Sequence, residues 1–240
     1  MFHREEHPDF ERVRFQLRAS GNRDLTRNPL RGGVHTRGYL PHVKHEGADY
    51  FVTFRLADSL PRAVLMRYEM ERAERLRLLD PASGEKGGLT KAREAIQREF
   101  HRKVERYLDK GAGACHLRHP EVADLVAGSI RFFNEERYVL REWVVMPNHV
   151  HVLFWPTPNH LVGNIVKSWK QYSSLRAKQN LGLGPGRFWQ PEAFDHWVRD
   201  EKERSRIARY IRNNPVIAGL CVKPEDWRWS SAWRGGASTL

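Results

Sequence analysis

Two histidines one residue apart, His149 and His151, sit in the apolar run Met146-Pro-Asn-His-Val-His-Val-Leu-Phe-Trp-Pro156. A short apolar run rich in β-branched and aromatic residues reads as a buried strand. Side chains alternate between the faces of a strand. The two imidazoles therefore project from one face, and Val150, Val152 and Phe154 fill the other. Paired imidazoles on a rigid element make half of a metal site. Two quietly hydrogen-bonded core histidines are the plain alternative, and the spacing alone does not choose between them.

A second segment with chemical potential is Tyr210-Ile-Arg-Asn-Asn-Pro215. Tyr210 and Asn214 are four apart and share a helix face. A phenol can act as a covalent nucleophile, but with a free pKa of about 10 it needs an electrophile that is already activated. A divalent ion on two histidines polarises a phosphoryl oxygen, and the Asn214 amide oxygen can serve as a third ligand. For Tyr210 the alternative is an aromatic packed on a sheet. Tyr172 is a second candidate, and its neighbours Trp169 and Leu175 give it the look of a packing residue.

The elements that must position these groups follow from pattern. Residues 1–38 are polar, basic and unpatterned and read as a loosely ordered arm, lying on phosphates or solvated. Tyr50-Phe-Val-Thr-Phe-Arg-Leu56 is a strand, and Asp58 to Pro61 breaks it before a charged helix over 64–79. Further helices are expected over about 90–108 and 120–133. The strand Tyr138–Met146 turns at Pro147-Asn148 into the histidine strand, forming a hairpin. An amphipathic helix over 161–179 is expected to bury Ile165, Trp169, Tyr172 and Leu175. Gly182–Gly186 is a flexible joint, Phe194–Val198 a last strand, and Asp200 caps a helix over 201–213 that Pro215 ends. This order suggests an α+β, ferredoxin-like antiparallel sheet with packed helices. The region 61–134 exceeds one crossover and reads as an enlarged helical insertion. The domain proper spans 39–222, and 223–240 forms a C-terminal tail.

Composition narrows the partners. With 41 Lys and Arg against 29 acidic residues, the net charge is +12 in 240 residues, which points to a polyanion and most simply to nucleic acid. Eight Trp and seven Tyr can stack on unpaired bases or build a core. Cys115 and Cys221 are far apart and lack metal spacing, which favours a reducing interior over a disulfide scaffold. No apolar run has the length of a membrane span, and the N-terminus lacks the apolar core of a signal peptide. A cytoplasmic, nucleoid-associated protein is expected.

The block Met146-Pro-Asn-His-Val-His151 resembles the His-hydrophobe-His signature of single-tyrosine HUH transposases, and Tyr210-Ile-Arg-Asn-Asn-Pro-Val-Ile-Ala-Gly219 resembles the segment bearing their tyrosine. Arg187-Phe-Trp-Gln190, Phe194-Asp-His-Trp197, Trp229-Ser-Ser-Ala-Trp233, Arg37-Gly-Tyr-Leu-Pro41 and Tyr50-Phe-Val-Thr-Phe54 are similar to the branch called REP-associated tyrosine transposases. The resemblance spans residues 37–233. It implies a ferredoxin-like core that nicks single-stranded DNA near hairpins. His149 and His151 match the metal ligands, Tyr210 the nucleophile, and Asn214 a position where relatives place an amide, with Gln in the insertion-sequence members. The implied ion is Mg2+ or Mn2+, and two histidines suit Mn2+ at least as well. The implied reaction is transesterification, which leaves a 5′-phosphotyrosine and a free 3′-hydroxyl and so needs no nucleotide cofactor. The sequence agrees in having no Walker-type glycine loop.

Lys167, Lys170, Arg206, Arg209 and Arg212 are candidate phosphate contacts, or ordinary solvated charges. Two rival functions stand beside the transposase. One is a domesticated nucleic-acid-binding protein that does not cleave. The other is a water-using metal-dependent phosphodiesterase in which Asp195 or His196 assists. A monomer and a homodimer are equally compatible with the sequence.

Overall fold

The computed structural model describes residues 33–37, 40–44, 47–79 and 86–235. Strands β1 (Gly33–Arg37) and β2 (Leu40–Lys44) pair antiparallel as a small sheet of their own. Gly33–Arg37 thus forms a strand within the expected arm; the rest of residues 1–38 lies outside the described residues.

The main sheet is four-stranded and antiparallel. It is built from β3 (Tyr50–Arg55), β4 (Tyr138–Val145), β5 (His149–Pro156) and β6 (Phe194–Trp197) in the order β4-β5-β3-β6. Three helices, α1 (Arg62–Arg77), α2 (Lys86–Leu108) and α3 (Pro120–Phe132), separate β3 from β4. Helix α4 (Val162–Asn180) separates β5 from β6, and α5 (Glu201–Ile217) follows β6. The connectivity through the sheet is β-α-β-β-α-β, with α1 and α2 as the extra helical pair. Helix α1 buries none of its residues, as its even scatter of Arg and Glu dictates.

The period-2 alternation of β3 and β5 divides the core in two. Tyr50, Val52, Phe54, Val150, Val152 and Phe154 face α3 and α4, joined there by Val122, Val126, Ile130, Ile165 and Trp169. Phe51, Val144, Leu153 and Met146 face the other way, against Ile207, Ala208 and Ile211 of α5. His149 and His151 share the parity of Leu153, so they lie under α5, apart from Val150, Val152 and Phe154 as their spacing predicts. Ile211 is fully buried at this contact. Ile211→Ala should destabilise the fold by about 2–5 kcal/mol, the usual cost of a large-to-small core change. Chemical denaturation of the full chain checks it.

Two sequence expectations are corrected here. The buried stripe of α4 is Ile165, Val166, Trp169, Ser173 and Ala177, whereas Tyr172 and Leu175 are exposed. They fall outside the roughly 100° sector that meets the sheet. Helix α5 also does not stop before Pro215; the proline lies inside it and is buried. Proline removes one backbone donor, yet the last turn closes around it, with Ala218 N–H donating to Asn214 O at 2.9 Å and Leu220 N–H to Pro215 O at 2.8 Å. Asn214 is thereby held in regular helix one turn after Tyr210. The start of α5 is fixed as expected by the Asp200 carboxylate, which accepts from Glu203 N–H at 2.7 Å.

The C-terminal segment docks along β4. Val145 N–H donates to Trp229 O at 2.8 Å, Ser231 N–H to Trp143 O at 2.9 Å, and the Trp227 indole to Val145 O at 3.0 Å. These bonds cover an edge strand whose backbone groups would otherwise be open to pairing with another chain.

Candidate active site

The hairpin between β4 and β5 delivers the histidine pair. His149 Nε2 and His151 Nε2 lie 3.1 Å apart, with both side chains fully buried. Burial lowers the pKa of His149 to about 3 and that of His151 well below its ordinary value, so both rings are neutral near pH 7.

Each ring is oriented from behind. Asn148 is fully buried and donates its NH2 to Leu108 O at 3.1 Å and Ala112 O at 2.9 Å. Its Oδ1 is left to accept from His149 Nδ1 at 2.7 Å. A proton fixed on Nδ1 of a neutral imidazole leaves Nε2 a bare lone pair, the form a metal ligand requires. Thr53, opposite His151 in the β3–β5 register, meets His151 Nδ1 at 2.8 Å. In the sequence Asn148 reads only as a turn residue. Its second role needs the Leu108–Ala112 segment, forty positions away, and no local pattern reports it. Asn148→Ala should weaken Mn2+ affinity about 10–100-fold, the usual effect of losing a group that orients a ligand. Isothermal titration checks it.

Helix α5 brings Tyr210 and Asn214 over the pair. The Tyr210 hydroxyl is 3.4 Å from His151 Nε2, and its ring stands edge-on to Phe51 and His151. Burial, then the Glu105 and Asp109 carboxylates, push the phenol pKa far above its ordinary value. Asn214 is fully buried beside His149 and Tyr210, and neither end of its amide makes a hydrogen bond of ordinary geometry. A buried amide without a well-formed hydrogen bond is costly, and a cation on the adjacent Nε2 atoms is the kind of partner that would satisfy its oxygen. The donor set of two neutral imidazole nitrogens and one amide oxygen fits a divalent ion. Among the described residues no three His, Cys, Asp or Glu side chains are grouped closely enough to hold an ion by themselves.

Sequence reasoning missed the acidic wall. Helix α2 and the turn that follows it bring Glu105 and Asp109, four apart, to the same site. Glu105 lies against Tyr210, and burial raises its pKa to about 7. Asp109 Oδ1 is 3.9 Å from His149 Nε2, and burial raises its pKa to about 6. Within the alternating Arg and Glu of α2 these two resemble any solvated pair. Only the docking of the helix distinguishes them. Arg55, the register partner of His149, was also overlooked. It is half-buried on the histidine face, its pKa lowered to about 10 by burial, and it donates to Ser59 Oγ at 3.4 Å.

The basic candidates separate. Arg206, Arg209 and Arg212 ride on α5, where Arg206 pairs with Glu203 at 3.1 Å and Arg212 with Glu142 at 3.0 Å. Lys167 is exposed on α4, which packs on the face of the sheet away from the histidines. Lys170 donates to Gln190 O at 2.6 Å and Pro191 O at 2.8 Å, so its ammonium ties a loop to α4. Tyr172 shares that far helix and does not reach the histidines. His196 meets Glu203 at 3.1 Å, and Asp195 sits on edge strand β6; neither stands at the Nε2 pair.

Residues 123–214, which include both histidines, Tyr210 and Asn214, match the family model described as Transposase IS200 like. The chain is 26% identical over 111 residues to the REP-associated tyrosine transposase of Escherichia coli (strain K12), covering 46% of this chain and 64% of that protein. It spans less than two thirds of the length of the curated relatives it matches. It is also similar to a solved structure of a REP-associated tyrosine transposase bound to a REP hairpin, at 15% identity and a TM-score of 0.44, covering 86% of this chain and 93% of that one. Among the described residues no helix is long and apolar enough to cross a membrane. Residues 123–214 thus resemble the IS200-like transposase family, within a chain distantly similar to REP-associated tyrosine transposases.

Proposed function

We propose that this chain is a single-stranded DNA endonuclease and strand transferase acting near DNA hairpins, with Tyr210 as nucleophile on a ferredoxin-like frame. The observation that carries the reading is the Tyr210 hydroxyl 3.4 Å from His151 Nε2, over the paired imidazoles of its own chain. The relative in Escherichia coli bears the name of a tyrosine transposase, and the neighbouring solved structure is described as bound to a REP hairpin.

His149, His151 and Asn214 would hold Mg2+ or Mn2+, which supplies polarisation of the scissile phosphoryl oxygen. The chain's own residues perform the rest. Tyr210 oxygen attacks phosphorus, a tyrosyl–phosphate bond forms, and the bond to the 3′-oxygen breaks, leaving a 5′-phosphotyrosine and a 3′-hydroxyl. Glu105, beside the phenol, is the carboxylate placed to take its proton, and the departing 3′-oxygen takes up a proton. Reversal by a 3′-hydroxyl rejoins strands without a nucleotide cofactor. Arg55 lies at the His149 end of the chamber and is placed to meet a non-bridging phosphate oxygen. The imidazoles are fully buried beneath Tyr210, Asn214, Glu105 and Asp109, so the phosphodiester reaches them by displacing part of this cover.

The test is covalent trapping on a labelled hairpin with a single-stranded flank, in Mn2+. A denaturation-resistant protein–DNA adduct with a free 3′-hydroxyl fragment is expected, and a chelator should suppress it. Cutting without an adduct would point instead to a water-using phosphodiesterase. Binding with neither product would point to a domesticated DNA-binding protein.

A further inference from the structure

We propose that Asp109, delivered by the helical insertion, is a fourth metal ligand that joins the histidine pair and Asn214. The inference rests on the histidine-site reading above and adds a carboxylate to it. Three observations converge on the same point. Asp109 Oδ1 is buried and has no hydrogen-bond partner. It stands 3.9 Å from His149 Nε2, the atom whose lone pair is left bare by Asn148. Asn214, fully buried and making no hydrogen bond of ordinary geometry at either amide end, faces the same imidazole from the opposing helix. Two independent segments, the turn after α2 and helix α5, thus each present an oxygen without an ordinary hydrogen bond to one pair of nitrogens.

Distances and charge both favour ligation over coincidence. In an octahedral site with bonds near 2.1 Å, adjacent ligand atoms are about 3 Å apart. The Nε2 atoms, at 3.1 Å, already have that spacing. Asp109 Oδ1, at 3.9 Å, is longer by under an ångström, so His149, His151 and Asp109 as they stand do not close a metal site, and a small side-chain rotation as the cation enters would bring the carboxylate into it. Two neutral imidazoles and one amide would leave both charges of a buried divalent ion without an anionic ligand. Hard ions prefer oxygen, and a carboxylate supplies both the oxygen and the countercharge. The insertion between β3 and β4 is then part of the metal centre.

Mn2+ titration of the full chain, read by calorimetry and by loss of the free-ion EPR signal, tests this without reference to cleavage. Asp109→Asn keeps the shape and removes the charge, and it should bind Mn2+ at least about 10-fold more weakly, while His149→Ala loses binding altogether. Because Asp109 Oδ1 makes no hydrogen bond in the metal-free protein, Asp109→Asn should melt no lower than the parent when no metal is present. Unchanged affinity in Asp109→Asn with affinity lost in His149→Ala would overturn the Asp109 assignment and leave the histidine site standing. A metal-free melting point lowered by several degrees would also overturn it, since Asp109 would then be a structural group. Mn2+ binding unaffected by His149→Ala and His151→Ala would overturn the underlying reading as well.

Discussion

Tyr210→Phe is expected to abolish the covalent DNA adduct and to lower strand cleavage by at least about 10³-fold, to the level of uncatalysed background. The substitution removes one oxygen and keeps the ring. The edge-on contacts with Phe51 and His151 persist, so the fold should be spared. The phenol is otherwise poorly prepared for attack, because burial and two nearby carboxylates hold its proton tightly. On the proposed mechanism, reaction would depend on a cation at the histidine pair to offset that negative surrounding, and water would not replace an oxygen carried by the helix. Gel analysis under denaturing conditions gives the adduct, and single-turnover kinetics give the rate. Tyr172→Phe is the comparison: Tyr172 is exposed on α4, across the sheet, and its loss should leave adduct formation as it was.

His149→Ala and His151→Ala are each expected to lose Mn2+ binding and to lower cleavage by about 10³-fold or more. Polarisation of a phosphoryl oxygen by a bound ion contributes several kcal/mol, and each 1.36 kcal/mol is about a factor of ten in rate. The two variants should differ in their effect on the metal-free protein. His149→Ala frees Asn148 Oδ1 inside the core, while His151→Ala frees the Thr53 hydroxyl, which can rotate to another partner. A stranded buried acceptor costs about 1–3 kcal/mol, so His149→Ala should melt lower than His151→Ala. Calorimetry on both proteins without metal reads this difference.

The two halves of the chamber were legible in the sequence for the same reason: each is a local periodicity. His149 and His151 share a face because a strand repeats every two residues, and Tyr210 and Asn214 share one because a helix brings i and i+4 together. The α+β order followed from the same patterns. What the chain does not announce locally is contact between distant elements. Glu105 sits in, and Asp109 just past the end of, a helix of mixed charge whose outward and inward faces look alike until it docks. Asn148 carries the signature of a turn and also props an imidazole. Lys170 has the composition of a phosphate contact, but two backbone carbonyls hold it. Tyr172 and Leu175 fit a helical stripe, yet the stripe that the sheet selects is the one through Ser173 and Ala177. Pro215 would end an isolated helix. Burial against the sheet carries the helix past it and keeps Asn214 in place.

The most direct measurement of the central arrangement is peptide mass spectrometry of the protein–DNA adduct formed on a hairpin substrate in Mn2+. The geometry at His149, His151 and Tyr210 predicts a nucleotide joined through its 5′-phosphate to Tyr210 and to no other side chain. Cleaved DNA with Tyr210 unmodified, or an adduct on another residue such as Tyr172, would contradict it.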